Sequence, residues 1–424
     1  MIWTLFIVFF LLLLLGYPIA YSLGFAALSY VLLAGLPLVI VPLKMFSGMD
    51  VFVLLSIPGF ILAGNLMNHC GMTDRIIAFC NHLLGHIRGG LGLANIGSSM
   101  IFAGISGTAI ADTASIGSVM IPAMQKEGYE TDFSCAVTSS SSTIGPIIPP
   151  SLPMIIVGSL TGLSVGKLFL AGAVPGLLLA VGLLLVSYLI SRKRKHPKRP
   201  RSGIWLQLRG FVDAFWAILM MALILFGIVG GLFTPTEASI IAVLYALIIG
   251  LFVYKKLKLK DLPGILFETA GTTASLMVLV GFANLFGWIL ISEEVPAEIA
   301  NFMLGISENK LILLLMINIL LIIVGSFMET IAALLILYPI LLKVALGAGV
   351  DPIQFSVIAV LNLIIGLNTP PVGVCLFVSA GIGKISIEKV AKATLPFLLV
   401  SFLVLALVTY VPAISLWLPN WLME

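Results

Sequence analysis

Gly145-Pro-Ile-Ile-Pro149-Pro150 and Gly366-Leu-Asn-Thr-Pro370-Pro371 share the pattern G-x-x-x-P-P, and each interrupts a long apolar run. A Pro-Pro pair removes two backbone donors and forces the preceding residue out of helical conformation, so a membrane helix must open there. Carbonyls freed by the opening survive in hydrocarbon only if they are buried in protein, face a water-filled cavity or hold an ion. Two matched breaks therefore predict a binding site.

The flanking sequence is that of a polytopic membrane protein. Of 424 residues 60% are hydrophobic and 9% charged, and the mean hydropathy is +1.20, far from the composition of a soluble domain. The apolar start, Met1 to Leu15, has no basic flank and reads as a retained segment rather than a cleaved signal. Cys70, Cys80, Cys135 and Cys375 lack disulfide, redox or zinc spacing and read as packing residues, so no cofactor is expected. Much of the net charge of +4 lies in Arg192-Lys-Arg-Lys-His-Pro-Lys-Arg-Pro-Arg201 beside a membrane segment. That is the usual cytoplasmic flank of a membrane helix, and nucleic acid is not expected as a partner.

Apolar runs long enough to span lie at roughly 2–16, 18–36, 50–68, a broken 133–163, and 170–191, then at 211–233, 235–254, 266–291, a broken 353–382, and 394–418. Each half thus has five crossings. Segments 91–124 and 311–344 carry Gly/Ser interruptions at Gly104-Ile-Ser-Gly107 and Gly325-Ser326, and each is read as a re-entrant hairpin. The mixed stretches before them, 73–86 and 296–306, read as interfacial helices.

The halves can be laid on each other. Asp112-Thr113 and Glu329-Thr330 precede Pro122 and Pro339 by one spacing, and the two breaks precede Pro175 and Pro396 by another. The expected organisation is a first repeat at 1–191, a basic loop at 192–210 and a second repeat at 211–424. An odd number of crossings inverts the second copy, and the charges agree. With 192–201 in the cytoplasm, only Lys44, Lys167, Lys310 and Lys343 of the 22 Lys and Arg fall outside. Acidic 292–298 and the base-free tail after Tyr410 also fall outside, both termini are periplasmic, and the hairpins open from opposite sides.

Ser139-Ser-Ser-Ser-Thr143 precedes the first break, and Asn362 and Asn368-Thr369 surround the second. Such groups either bond to their own helix and glue helices together, or join opened carbonyls in holding a hard cation such as Na+. The half-helix after each break also points a positive dipole end at the same place, which suits an anion. Asp112 and Glu329 are acids at matching depth in the hairpins, and each is either an ion contact or a helix-start acid. Gly104-Ile-Ser106-Gly107 matches the G-x-S-G of rhomboid-type intramembrane proteases. However, His69, His82, His86 and His196 all lie at segment ends, in the interfacial stretch 73–86 or in the basic loop, where none offers a membrane-embedded base. The chain is not expected to be an enzyme.

The stretch from Phe102 to Pro122, the Gly145–Pro153 loop and the Gly366–Gly373 loop resemble the large membrane subunit of a tripartite ATP-independent periplasmic (TRAP) transporter, over essentially the whole chain. The resemblance, which is to the unfused form, implies a Na+-coupled importer of the bacterial inner membrane working by an elevator mechanism. It also implies two partners, a periplasmic substrate-binding protein and a small four-helix membrane subunit. Carried over from relatives, a Na+ site falls at Ser106, Thr108, Gly145, Ile148 and Pro150, and the repeat suggests another at Gly325, Gly366, Thr369 and Pro371. The implied cargo is a small carboxylate such as a C4-dicarboxylate, sialic acid, sugar acid or keto acid. A pocket between the breaks would draw on Thr108, Asp112, Ser142 and Asn362. The alternative is a stand-alone anion/Na+ symporter of the wider ion-transporter group, which needs no binding protein.

Overall fold

The structure, a computed structural model, describes residues 2–201, 203–307 and 309–423, without the side chains of 103–106, 300 and 304. Among the described residues it is all-helical. The first half contains α1 (Ile2–Leu14), α2 (Ile19–Leu33), α3 (Ile40–Met49), α4 (Ser56–His69), α5 (Met72–Leu84), α6 (Gly90–Ser106), α7 (Ala109–Lys126), α8 (Thr131–Ser142), α9 (Leu152–Thr161) and α10 (Val165–Lys193). The second contains α11 (Ile204–Val229), α12 (Pro235–Ile248), α13 (Leu262–Ser292), α14 (Val295–Ile306), α15 (Lys310–Phe327), α16 (Thr330–Gly347), α17 (Pro352–Gly366), α18 (Val374–Gly383), α19 (Ile387–Tyr410) and α20 (Ala413–Leu422).

Eight helical segments among the described residues are long and apolar enough to cross a bilayer. The broken helices do not reach that length singly. At 12 and 10 residues, α8 and α9 rise about 18 and 15 Å, against a hydrocarbon core of about 30 Å. They can span only in tandem, as can α17 with α18.

Two expected boundaries shift. The run read as 50–68 is a 3-10 turn at Phe52–Leu55 followed by α4, and α3 precedes it as a separate helix. The last apolar run divides at Val411 and Pro412 into α19 and α20, because Pro412 cannot donate to the helix before it.

Helix starts fix the register of the hairpins. The hydroxyl of Thr108 caps α7 by accepting the Ala111 N–H at 3.4 Å. The carboxylate of Glu329 caps α16 by accepting from Ile331 at 2.9 Å and Ala332 at 3.2 Å. The increment that carries Gly145 to Gly366 and Pro175 to Pro396 also carries Thr108 to Glu329, and Thr131 at the head of α8 to Pro352 at the head of α17. The expectation that Asp112 and Glu329 lie at matching depth is therefore corrected. Glu329 corresponds to Thr108, and Asp112 to Ala333, one turn further on. Pro122 and Pro339, which suggested the other pairing, lie inside α7 and α16 at different distances from the caps. Capping, rather than interior proline, sets where a helix begins.

The broken helices lie at the centre. Every residue of α8 from Phe133 to Ser142, and every residue of α17 from Gln354 to Gly366, is buried. Helices α6 and α7 pack on α8, and α15 and α16 on α17. The half-helices cross over: α9 packs on α16 and α17, while α18 packs on α7 and α8. A second group surrounds this body, with α2, α3 and α4 on α13, α4 on α12, and α5 on α11.

The basic segment after α10 is not a free loop. Arg194 meets Asp132 through two bonds of 2.9 and 3.1 Å, and Arg199 meets Glu127. His196 is buried, with Nε2 2.5 Å from a Glu130 oxygen and its ring 4.6 Å from those of Tyr129 and Phe133. The Pro197 carbonyl accepts from the Gly89 N–H at 3.2 Å, and Arg199 donates its N–H to Gly85. The segment is thereby clipped across the open ends of α6, α7 and α8.

Candidate functional site

The serine run before the first break is mostly spent locally. Ser142 donates to the Thr138 carbonyl at 2.8 Å, Thr143 to Ser140 at 2.6 Å and Ser139 to Ala136 at 3.2 Å. Ser141 is the exception, reaching hairpin arm α6 through Ser99 at 2.9 Å and Asn95 at 3.4 Å. Of the two readings for these hydroxyls, helix back-bonding and interhelical glue describe these four, while the fifth, Ser140, is buried with its hydroxyl unpartnered among the described residues.

The backbone then opens. Ile147 and Ile148 both donate to the Ile144 carbonyl, and α9 restarts at Ser151, whose hydroxyl accepts the Met154 N–H at 3.2 Å and donates to the Pro146 carbonyl. The Pro149-Pro150 peptide is cis, as is Pro370-Pro371. The Ile148 side chain packs on Gly176 of α10, so any ion contact from Ile148 would come from its carbonyl.

The hairpin tip sits directly on this opening. Gly107 turns the chain at φ +62°, and a β-carbon there would stand 3.4 Å from the Pro150 carbonyl oxygen. One placed on Gly145 would stand 2.9 Å from the Asp112 carboxylate, which is fully buried in the first turn of α7. Glycine at 145 thus lets a buried carboxylate approach the opened backbone. The structure brings Thr108, Asp112, Gly145 and Pro150 together, while the expected Ser106 side chain lies outside the described residues.

The second break meets its hairpin differently. A β-carbon on Gly366 would stand 2.4 Å from the Gly325 carbonyl carbon, and the Gly373 N–H donates to the Ser326 carbonyl at 3.2 Å. Gly325 and Gly366 are in contact as expected. The Thr369 hydroxyl is turned back to the Ile365 carbonyl at 2.9 Å. Pro371 is exposed, whereas Pro149 and Pro150 are buried. With Glu329 engaged in capping, the first break is the enclosed, acid-bearing one.

Asn362 and Ser142 spend their side-chain hydrogen bonds on their own and neighbouring helices. Asn362 donates to Asn318 of α15 at 2.8 Å and to the Ile358 carbonyl at 2.9 Å. Asn318 in turn donates to Thr409 of α19 at 3.0 Å. The increment relating the breaks carries Ser141 to Asn362, so both halves fasten a hairpin arm from the same position. The residue that joins the breaks is Asn368, which donates to the Ser139 carbonyl at 2.8 Å. Sequence reasoning passed over Asn95, Asn318 and the Asn368–Ser139 bond. A lone amide inside the apolar arm Leu311 to Phe327 was the available signal for Asn318.

Comparison with known proteins follows the same lines. The family described as "Tripartite ATP-independent periplasmic transporter, DctM component" matches residues 6–414. The sialic acid TRAP transporter large permease protein of Vibrio cholerae is 42% identical over 96% of this chain and 95% of that one. The C4-dicarboxylate TRAP transporter large permease protein of Pseudomonas aeruginosa is 41% identical over 90% and 89%. Among solved structures, the YdaH transporter of Alcanivorax borkumensis aligns with a TM-score of 0.58 at 16% identity, over 86% of each chain, a likeness of fold.

Proposed function

Because the chain belongs to the DctM-component family of tripartite ATP-independent periplasmic transporters, we propose that it is the large permease subunit of a Na+-coupled importer for a small organic acid. It is a multi-pass membrane protein of a bacterial transporter, and the family implies a small membrane subunit and a periplasmic binding protein as partners. Relatives named for sialic acid and C4-dicarboxylate support a small organic acid as cargo.

The observation that carries the coupling is the seating of the first hairpin tip on the first break, with Asp112 against Gly145 and Gly107 against Pro150. A hard cation takes several oxygen ligands, and this junction offers carbonyls of an opened turn, the Thr108 cap and a buried carboxylate. Ser106, Thr108, Gly145, Ile148 and Pro150 form the first Na+ site in this reading, and Gly325, Gly366, Thr369 and Pro371 the second. Asp112 repels an organic acid until Na+ neutralises it, so ion binding precedes cargo. The N-terminus of α9 then adds a favourable dipole end for the carboxylate.

An elevator motion is supported by the division of the helices. The hairpins and broken helices interlock across the halves through α9 on α16, α18 on α7 and Asn368 on Ser139, which makes them one moving body. Helices α1 to α4 and α11 to α13 then supply the scaffold, with α5 packed on both α6 and α11, and the shared increment of caps and breaks supports two repeats. The test is uptake by proteoliposomes holding this chain with its small subunit and binding protein. Uptake should collapse when Na+ is replaced by K+, and unchanged uptake would remove the coupling.

A further inference from the structure

A crevice of about 290 Å³ runs between α3, α13 and α14 on one wall and α16 with the end of α9 on the other. Two lysines line it, Lys44 of α3 and Lys343 of α16, and no acid is among its lining residues. Neither lysine forms an ion pair among the described residues. Lys44 Nζ stands 5.0 Å from the Trp288 ring centroid, a cation–π contact that holds the ammonium at the wall. Gly48 leaves room for Asn284, whose amide comes within 2.4 Å of where a β-carbon on Gly48 would stand. Asn284 therefore reaches the crevice as a neutral hydrogen-bonding group.

The place of this crevice gives it meaning. Positive charge in the loops puts four lysines outside, and two of the four converge here. Lys310, by contrast, is tied to the Gly349 carbonyl at 2.7 Å. A second cavity of about 150 Å³ shares Leu160, Asn284 and Leu335 with the first and continues to Ser159. Both cavities reach α9 only at its last turn, Ser159 and Leu160, and the first break lies at the other end of that helix, about 15 Å away. The walls of the crevice come from the two helix groups, α3 and α13 from one and α9 and α16 from the other.

We propose that this crevice is an outward-facing anion vestibule, in which Lys44 and Lys343 collect the carboxylate of a small organic acid before it reaches the first break. The proposal rests on the transport reading above, and it adds a site and a ligand class which that reading does not contain. Two cations in a crevice with low-dielectric walls raise the local concentration of an anion and favour mono- and dicarboxylates over neutral analogues. The volume, near the lower end of ligand pockets, limits the occupant to a small molecule.

Trp288 supplies a direct reporter that needs no binding protein. The full chain in neutral-lipid nanodiscs is titrated with succinate, N-acetylneuraminate and, as a neutral control, succinamide at constant ionic strength. Trp288 emission, taken as the difference from Trp288→Phe, should respond to the two acids and not to succinamide. In Lys44→Gln/Lys343→Gln the apparent Kd should rise about tenfold or more, and Lys343→Arg should retain binding. No Trp288 response to either acid, an equal response to succinamide, or an unchanged Kd in the double variant would overturn the vestibule. Proteoliposome uptake by the wild-type complex separates the two claims. Uptake with an unchanged Kd in the double variant removes the vestibule alone, whereas a lysine-dependent titration without uptake removes the transport reading alone.

Discussion

Gly325 and Gly366 meet backbone to backbone, so that a β-carbon on either would enter the other's helix: 2.4 Å from the Gly325 carbonyl carbon in one direction, 2.9 Å from the Leu363 carbonyl oxygen in the other. No flexible side chain stands between them to give way. Gly366→Ala should therefore push the second hairpin tip off its break, at a stability cost of about 1–3 kcal/mol for overpacking. Uptake should fall about tenfold or more, with a lowered Tm in detergent. Near-normal uptake would mean that this contact is not needed for transport.

Asp112 and Glu329 should separate on substitution. Asp112→Asn keeps the shape against Gly145 but removes the charge, and the Na+ concentration for half-maximal uptake should rise about tenfold or more. Glu329→Gln keeps a carbonyl oxygen for the Ile331 and Ala332 N–H groups and should leave Na+ activation near wild type. Glu329→Ala removes the cap, and should lower stability by about 1 kcal/mol. Equal shifts of Na+ activation in Asp112→Asn and Glu329→Gln would show that both acids face the ion.

The Asn362–Asn318–Thr409 chain ties a broken helix to a hairpin arm and to α19. Asn318→Leu leaves one buried N–H of Asn362 without its acceptor, at a cost of about 1–3 kcal/mol. Asn318→Leu/Asn362→Leu removes both polar groups and should recover part of that loss. Thermal melting of the three proteins checks the order.

Glu130 is one of the groups that hold segment 192–201 in its clip. Burial raises its pKa, but the His196 ring, its own N–H and Arg194 outweigh burial and hold the carboxyl below the usual range. Its contribution is therefore complete above the ordinary carboxylate value near 4.5 and is lost as pH falls through the lowered folded value. The Glu130 contribution predicts that protease cleavage within 192–201 accelerates as pH falls below the carboxylate range. Glu130→Gln should remove this acceleration while Arg194–Asp132 and Arg199–Glu127 continue to hold the segment.

The breaks were legible because Pro-Pro leaves a helix no choice, and the turns between α6 and α7 and between α15 and α16 because glycine and serine interrupt otherwise apolar runs; α15 and α16, read as re-entrant, are each long enough to span. Composition alone indicated a membrane fold. What misled was proline as a ruler. Pro122 and Pro339 sit in helix interiors, where position is not tied to the tip, so the acids were paired one turn out of step. Caps would have done better, since Thr108 and Glu329 are both able to accept from the first turn. The long-range bonds, Asn368 to Ser139 and Asn362 to Asn318, follow from three-dimensional closure, which a single sequence does not reveal. The same holds for the basic segment, read as a solvated flank, whose partners at Glu127, Glu130 and Asp132 lie over sixty residues away.

The Asn368–Ser139 bond makes the two openings one thermodynamic system. Ser139 lies in the helix turn leading into the first break, so a ligand that moves that turn moves an acceptor belonging to the second. On the proposed reading that both junctions hold Na+, occupancy of either changes the affinity of the other by one and the same factor. With Na+ in both junctions, as proposed, Asn368→Ala should bring the saturation curve closer to a hyperbola while leaving each junction able to fill alone.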